Sequence, residues 1–250
     1  MEQAEFIPLF PTMVYHSQIQ DNESYKKIVF DEDVFSRHGF KVGGTPKNEH
    51  ETLRTLNATS GEYRGKVLLH KDPRFVSLFK EITAHAVVYL NGTFNIVTDM
   101  FDFYIIKSWY AILPPGKEMS FHRHGSADLS FVYYPETDEH TSPIWFSNTD
   151  GKLNNHNEIF SGLFSENIDR KNFITHRNEI TSLANSILPG DGSIVIFPSK
   201  TLHGVCPLPN QHGDKDRISI AGDIKIVLKP EYLNLESGLI SIEHWKKFNG

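Results

Sequence analysis

Cysteine is almost missing from this chain: its 250 residues hold one, Cys206. That excludes an intramolecular disulfide and any zinc site built on several thiolates. No stretch approaches the roughly 18 consecutive apolar residues of a membrane-spanning helix. The opening MEQAEFIPLFPTMVYHSQIQ has neither the basic start nor the apolar run of a secretory signal. A cytoplasmic, reducing setting is the expectation that follows, with no membrane partner. Positive charge is not in surplus either. Lys and Arg number 25 against 31 Asp and Glu, a net charge of −6, which weighs against duplex nucleic acid as a ligand. Repeats, low-complexity tracts and long linkers are absent too, so the length reads as a single domain.

What the chain does have is a core's worth of apolar residues, 39% of the total, and 13 histidines. FIPLFPTMVYHSQI mixes proline with apolar residues and suits an extended segment or edge strand. From Asp33 to Gly65 the text is polar and glycine-rich and reads as loop with short ordered pieces. DPRFVSLFKEITAHAVVYLNG predicts a helix capped by Asp72, with Pro73 in its first turn and a stop at Asn91-Gly92. Phe75, Leu78, Phe79, Ile82, Ala86 and Leu90 share one face of it.

After Gly92 the pattern turns to strands: FDFYIIKSWYAIL, LSFVYY, SPIWFS, GSIVIFPS and RISIAGDIKIVL. Short strands following a helical part predict a mainly β, α+β fold, a barrel or sandwich with helices packed outside. The division expected is 1–100 as N-terminal helical support, 101–228 as the β core and 229–250 as a C-terminal extension. The polar segment 148–185 reads as a long insertion, either a lid or a surface excursion.

Two stretches carry chemistry. In SFHRHGSADLSFVYY, His122 and His124 stand two residues apart, so on a strand both imidazoles leave from one face, ~7 Å apart at the backbone. Neutral imidazole is the commonest metal ligand, and that spacing lets two rings converge on one ion. H-x-H alone describes surface histidines equally well. LPGDGSIVIFPSKTLHGVCPL then brings a third imidazole, His203, behind a distant strand. In RISIAGDIKIV, Ile218, Ile220, Ile224 and Ile226 fall on one face, while Arg217, Ser219, Ala221 and Asp223 fall on the other. An arginine fork beside a hydroxyl is a carboxylate clamp if that second face looks into a barrel. Trp109 and Tyr110 fit either a pocket lining or the core. Cys206, beside Val205, reads as a small packed side chain.

Together, H-x-H, a strand, a distal histidine and R-x-S fourteen residues beyond it resemble the Fe(II)/2-oxoglutarate-dependent oxygenases. The wording SWYAILPPGKEMSFHRHGSADLSFVYYPE and GDGSIVIFPSKTLHGVCPL is similar to a little-characterised bacterial and phage branch of that family. The resemblance runs from Trp109 to Val227, less the insertion. It implies a double-stranded β-helix, or jelly roll, with the helices on the outer face of one sheet. It implies that His122 and His203 bind iron and that Arg217 and Ser219 hold the distal carboxylate of 2-oxoglutarate. Such an enzyme consumes O2, releases succinate and CO2, and hydroxylates a substrate as its default outcome.

One position departs from the family. Most members carry Asp or Glu where His124 stands, giving a two-histidine, one-carboxylate triad. His124 is the third ligand by position; Asp128, across Gly125-Ser126-Ala127, is the alternative. Two other readings stay open: a three-histidine cupin-type metal enzyme that uses no 2-oxoglutarate, and a non-enzymatic jelly-roll binding module. The substrate, a small molecule or a protein side chain, is not written in the sequence, and neither is assembly into a homo-oligomer.

Overall fold

Period-two patterning in the second half of the chain becomes two antiparallel sheets. The computed structural model describes residues 12–38, 68–147, 184–207 and 215–232. Residues 1–11, most of 33–65, nearly all of the insertion and the chain beyond 232, with the readings made for them, lie outside the described residues.

The strands are β1 (Tyr15–Gln18), β2 (Phe101–Leu113), β3 (Met119–His122), β4 (Leu129–Tyr134), β5 (Ile144–Ser147), β6 (Ala184–Ile187), β7 (Ser193–Pro198), β8 (Leu202–Val205) and β9 (Arg217–Leu228). One sheet runs β1-β7-β4-β9-β2 and the other β3-β8-β5-β6, with every strand pair antiparallel. This is the jelly roll that the sequence led one to expect. β1, in the stretch read as an extended segment or edge strand, forms an edge of the five-stranded sheet and pairs with β7.

The helices are α1 (Asn22–Val29), α2 (Glu32–His38) and α3 (Val76–Phe94). α2, seven residues long, is one of the short ordered pieces expected at the start of the polar stretch. A short 3-10 turn, Pro73–Phe75, precedes α3, and the Asp72 side chain caps it by accepting from the Arg74 amide. α3 does not stop at Asn91-Gly92. It runs through Phe94 and ends at Asn95, which takes the left-handed conformation (φ 52°) and donates its N–H to the Asn91 carbonyl. Asparagine reaches that region at little cost, so the later Asn is as good a terminator as Gly92. The predicted face is buried throughout: Phe75, Leu78, Phe79, Ile82, Ala86 and Leu90.

Both faces of the five-stranded sheet are covered, and this explains the apolar runs. In β4, Phe131 and Tyr133 point to the helices while Val132 and Tyr134 point between the sheets. β7 divides the same way, Ile194 and Ile196 outward, Val195 and Phe197 inward. Each such side chain taken fully from water contributes roughly 1.5–3 kcal/mol. Buried tyrosines tie the N-terminal segments to this layer: Tyr110 Oη donates to the Val29 carbonyl, Tyr133 Oη to Asn22 Oδ1 and Tyr89 Oη to the Met13 carbonyl.

Gly222, mid-β9, is needed for packing. A Cβ there would lie 2.4 Å from Phe131 Cζ and 2.7 Å from the Lys107 carbonyl oxygen, both inside contact distance. The Phe131 ring occupies that space and reaches Phe79 of α3, with ring centroids 6.3 Å apart. Gly222→Ala is expected to destabilise the fold by about 1–3 kcal/mol, the usual cost of an overpacked core. Urea unfolding measures this; an unchanged midpoint would show that sheet and helix yield more easily than the contacts imply.

Candidate functional site

β3 and β8 are neighbours in the four-stranded sheet, and their pairing sets His122 directly opposite His203. His124 lies two residues past the end of β3 and not on the strand. Its backbone N–H donates to the Ser199 carbonyl at 2.9 Å, which holds the segment beside β7 and β8. The three rings cluster with centroids 4.4 Å (His122–His203), 5.1 Å (His124–His203) and 5.2 Å (His122–His124) apart.

Ligand nitrogens of the three histidines all lie within 4.8 Å of one another, a group that could hold a metal ion. Nitrogens each about 2.1 Å from one ion sit roughly 3 Å apart, so modest side-chain rotation closes the set. The tautomers fit as well. His122 Nδ1 lies 2.8 Å from the Ser120 carbonyl oxygen and His203 Nδ1 lies 2.8 Å from that of Thr201. A carbonyl only accepts, so both Nδ1 atoms carry the proton and both Nε2 lone pairs are free. His124 Nδ1 donates in turn to Asp223 Oδ1 at 2.5 Å. Burial pushes the His203 imidazole down to about 3, with His122 adding to the effect, and burial also lowers His122. These two rings are therefore neutral near pH 7, the form that binds metal.

Asp128 does not join the group. Its Oδ1 accepts from Lys225 Nζ at 2.9 Å and its Oδ2 from the Ile226 amide at 2.8 Å. The carboxylate is turned onto the end of β9, with both oxygens engaged.

β9 supplies the second half of the site. Its isoleucines pack toward the helices, and Arg217, Ser219 and Ala221 line the same cavity as the histidines. Arg217 is buried, 9% exposed. Its Nε donates to the Ser142 carbonyl at 3.1 Å, its Nη1 to Ser219 Oγ at 3.3 Å and its Nη2 to Tyr134 Oη at 2.8 Å. These partners are all neutral, and the guanidinium also sits 4.8 Å from the centre of the Tyr134 ring. Of five N–H donors, one on each terminal nitrogen is left for an incoming carboxylate. Burial raises the Tyr134 phenol, so it stays protonated and its own O–H can donate as well.

The cavity shared by the histidines and Arg217 measures about 40 Å³. Trp109 lines it and lies 5.8 Å from the His124 ring. Tyr110, the next residue of β2, faces the helices instead. Tyr134, Ser142 and Asp223 were not singled out by the sequence. Asp223 alone left a trace there, since it shares strand parity with Arg217 and Ser219.

Residues 107–223, a little under half of the chain, match the sequence profile of the family described as "Putative 2OG-Fe(II) oxygenase". By sequence, this part of the chain is similar to that 2OG-Fe(II) oxygenase family. Fe(II) and 2-oxoglutarate are the metal and co-substrate of such a domain, and the histidine cluster beside Arg217 suits both. A search of the curated proteins finds no match. Among solved structures, a prolyl-4-hydroxylase of Pseudomonas putida is similar at 13% identity, covering 86% of this chain and 88% of that one, with a TM-score of 0.44. SnoN, an α-ketoglutarate-dependent epimerase of nogalamycin biosynthesis, is similar at 11% identity over 92% of this chain and 85% of its own, TM-score 0.45. HygX from Streptomyces hygroscopicus, with nickel and 2-oxoglutarate bound, is similar at 9% identity over 62% and 65%, TM-score 0.38. Among the described residues, no helix is long and apolar enough to cross a membrane.

Proposed function

We propose that the chain is an Fe(II)- and 2-oxoglutarate-dependent dioxygenase that hydroxylates its substrate and releases succinate and CO2. One observation carries this reading: a buried arginine without an acidic partner among the described residues shares a cavity with three histidines whose Nε2 atoms are free. A three-histidine cupin-type enzyme has no use for such an arginine, and a plain binding module has no use for either group.

In this reading His122, His124 and His203 hold the iron, which when bound supplies the redox chemistry and open coordination positions for the keto-acid and O2. Arg217 takes the distal carboxylate of 2-oxoglutarate, helped by the hydroxyls of Ser219 and Tyr134. That fixes the opposite end of the molecule toward the histidines. Apolar walls, among them Trp109 and Phe197, keep water from the reacting end.

The test is anaerobic loading with Fe(II) and 2-oxoglutarate, followed by O2 and measurement of succinate, alone and against panels of peptides and metabolites. Succinate released in step with a hydroxylated product supports the proposal. Metal binding with no affinity for 2-oxoglutarate would transfer support to the cupin-type reading.

A further inference from the structure

We propose that Asp223 supplies, through the His124 ring, the negative charge that an all-histidine site lacks. It is a positioning residue that acts one imidazole removed from the metal. The inference rests on the metal site proposed above. Three imidazoles are neutral ligands, whereas the facial triads that hold non-haem iron include a carboxylate. Asp128, the carboxylate nearest in sequence, is committed to Lys225 and Ile226.

Asp223 is 2% exposed and its Oδ1 accepts from His124 Nδ1. Ser130 Oγ lies 2.9 Å from the same Oδ1 and 3.1 Å from the same Nδ1. Ser199 Oγ is 2.9 Å from Ser130 Oγ, and the Ser199 carbonyl holds the His124 backbone. The carboxylate, two hydroxyls and the imidazole thus form one buried unit. Among the described residues, the ion-pair partner of Asp223 is His124 and no lysine or arginine. Burying a carboxylate costs several kcal/mol unless positive charge offsets it. Each of the three histidines has a ring nitrogen within 4.8 Å of the others, and with Nδ1 of His124 engaged by Asp223 its Nε2 is the nitrogen left for a cation, on the other side of the ring from the carboxylate. That is the carboxylate–histidine–metal arrangement, which fixes the ring tautomer and makes the imidazole a stronger donor.

The sequence carries the same logic. Arg217, Ser219, Ala221 and Asp223 alternate onto the cavity side of β9, so one strand delivers the co-substrate anchor at one end and this carboxylate further along.

The experiment compares the metal-stripped full-length protein with Asp223→Asn, which keeps an oxygen to accept from Nδ1 but removes the charge. Co(II) affinity is measured by chelator competition. It is expected to fall about 10–100-fold, the usual loss when an outer partner of a ligand histidine is removed, and the Co(II) absorption bands should shift. The metal-free midpoint of unfolding should not fall, because an amide is easier to bury than a carboxylate. A purely structural Asp223 would give the reverse pattern, lower metal-free stability with unchanged Co(II) affinity and bands, and that result overturns the proposal. A measurement without any variant backs this up: in Zn(II)-loaded wild-type protein with 15N-labelled histidine, the His124 Nδ1 proton should be far more deshielded than those of His122 and His203, which meet only backbone carbonyls. Three similar signals would also overturn it. Wild-type protein that fails to bind Co(II) at all removes the metal site itself, and this inference with it.

Discussion

His203→Ala should leave a folded protein that no longer retains iron. His203 is the most deeply placed of the three histidines, 5% exposed, directly across from His122 and tilted against Phe197 at 4.6 Å between ring centroids. Burial already holds its ring neutral, so no proton has to be displaced when metal arrives. Taking away a direct ligand should cost more than the roughly 10–100-fold that follows loss of an outer partner. Metal analysis after gel filtration and chelator competition read the loss directly, and succinate production should vanish with it. Far-UV circular dichroism should stay that of the parent, since β8 pairs with β3 and β5 through its backbone, which the substitution leaves in place. Iron retained at parental affinity would mean that the three imidazoles are not the site.

Arg217→Ala should spare the iron and remove the co-substrate. Among the described residues that line the cavity, the guanidinium is the only positive side chain, and a bidentate, charge-assisted contact to a carboxylate is worth roughly 2–5 kcal/mol. The affinity of the Fe(II)-loaded protein for 2-oxoglutarate should therefore weaken about 30-fold or more. Arg217→Lys should recover little, because an ammonium cannot meet Ser142, Ser219, Tyr134 and a carboxylate together as the planar fork does. Anaerobic titration followed through the metal-to-keto-acid absorption gives the number. Equal affinity in wild type and Arg217→Ala would remove 2-oxoglutarate from the proposal.

Legibility in the sequence followed periodicity. The alternation in RISIAGDIKIV was enough to divide Ile218, Ile220, Ile224 and Ile226 from Arg217, Ser219, Ala221 and Asp223, because β9 keeps its alternation even where its pairing with β2 shifts register. The face of α3 was equally readable from its 3.6-residue spacing. Tyr134 could not be separated from Tyr133 in the same way: LSFVYY is covered on both sides, so both faces are apolar and parity carries no contrast. Ser142 acts through its backbone carbonyl, which no side-chain pattern can reveal. The expectation that His122 and His124 share a strand missed the end of β3. The two rings still meet because Ser199 fixes the His124 backbone, a contact between residues 75 apart in the chain. The partners of Arg217 also differ from what its charge suggests: three neutral oxygens and an aromatic face hold it, where an acidic neighbour would have been the simplest companion.

β9 has a consequence for how errors in folding would show. Its even-numbered isoleucines are the floor beneath the helices, and its odd-numbered residues hold the cation of the clamp and the anion behind His124. Slipping by one residue against β2 and β4 would turn Arg217 and Asp223 into the helix layer and expose isoleucine to the cavity. Two unpaired charges in an apolar layer cost far more than the few kcal/mol by which a domain is stable. A chain with β9 out of register should therefore fail to fold at all, leaving no population that is native in shape but unable to bind its ligands. Quality control and activity are written in the same alternation.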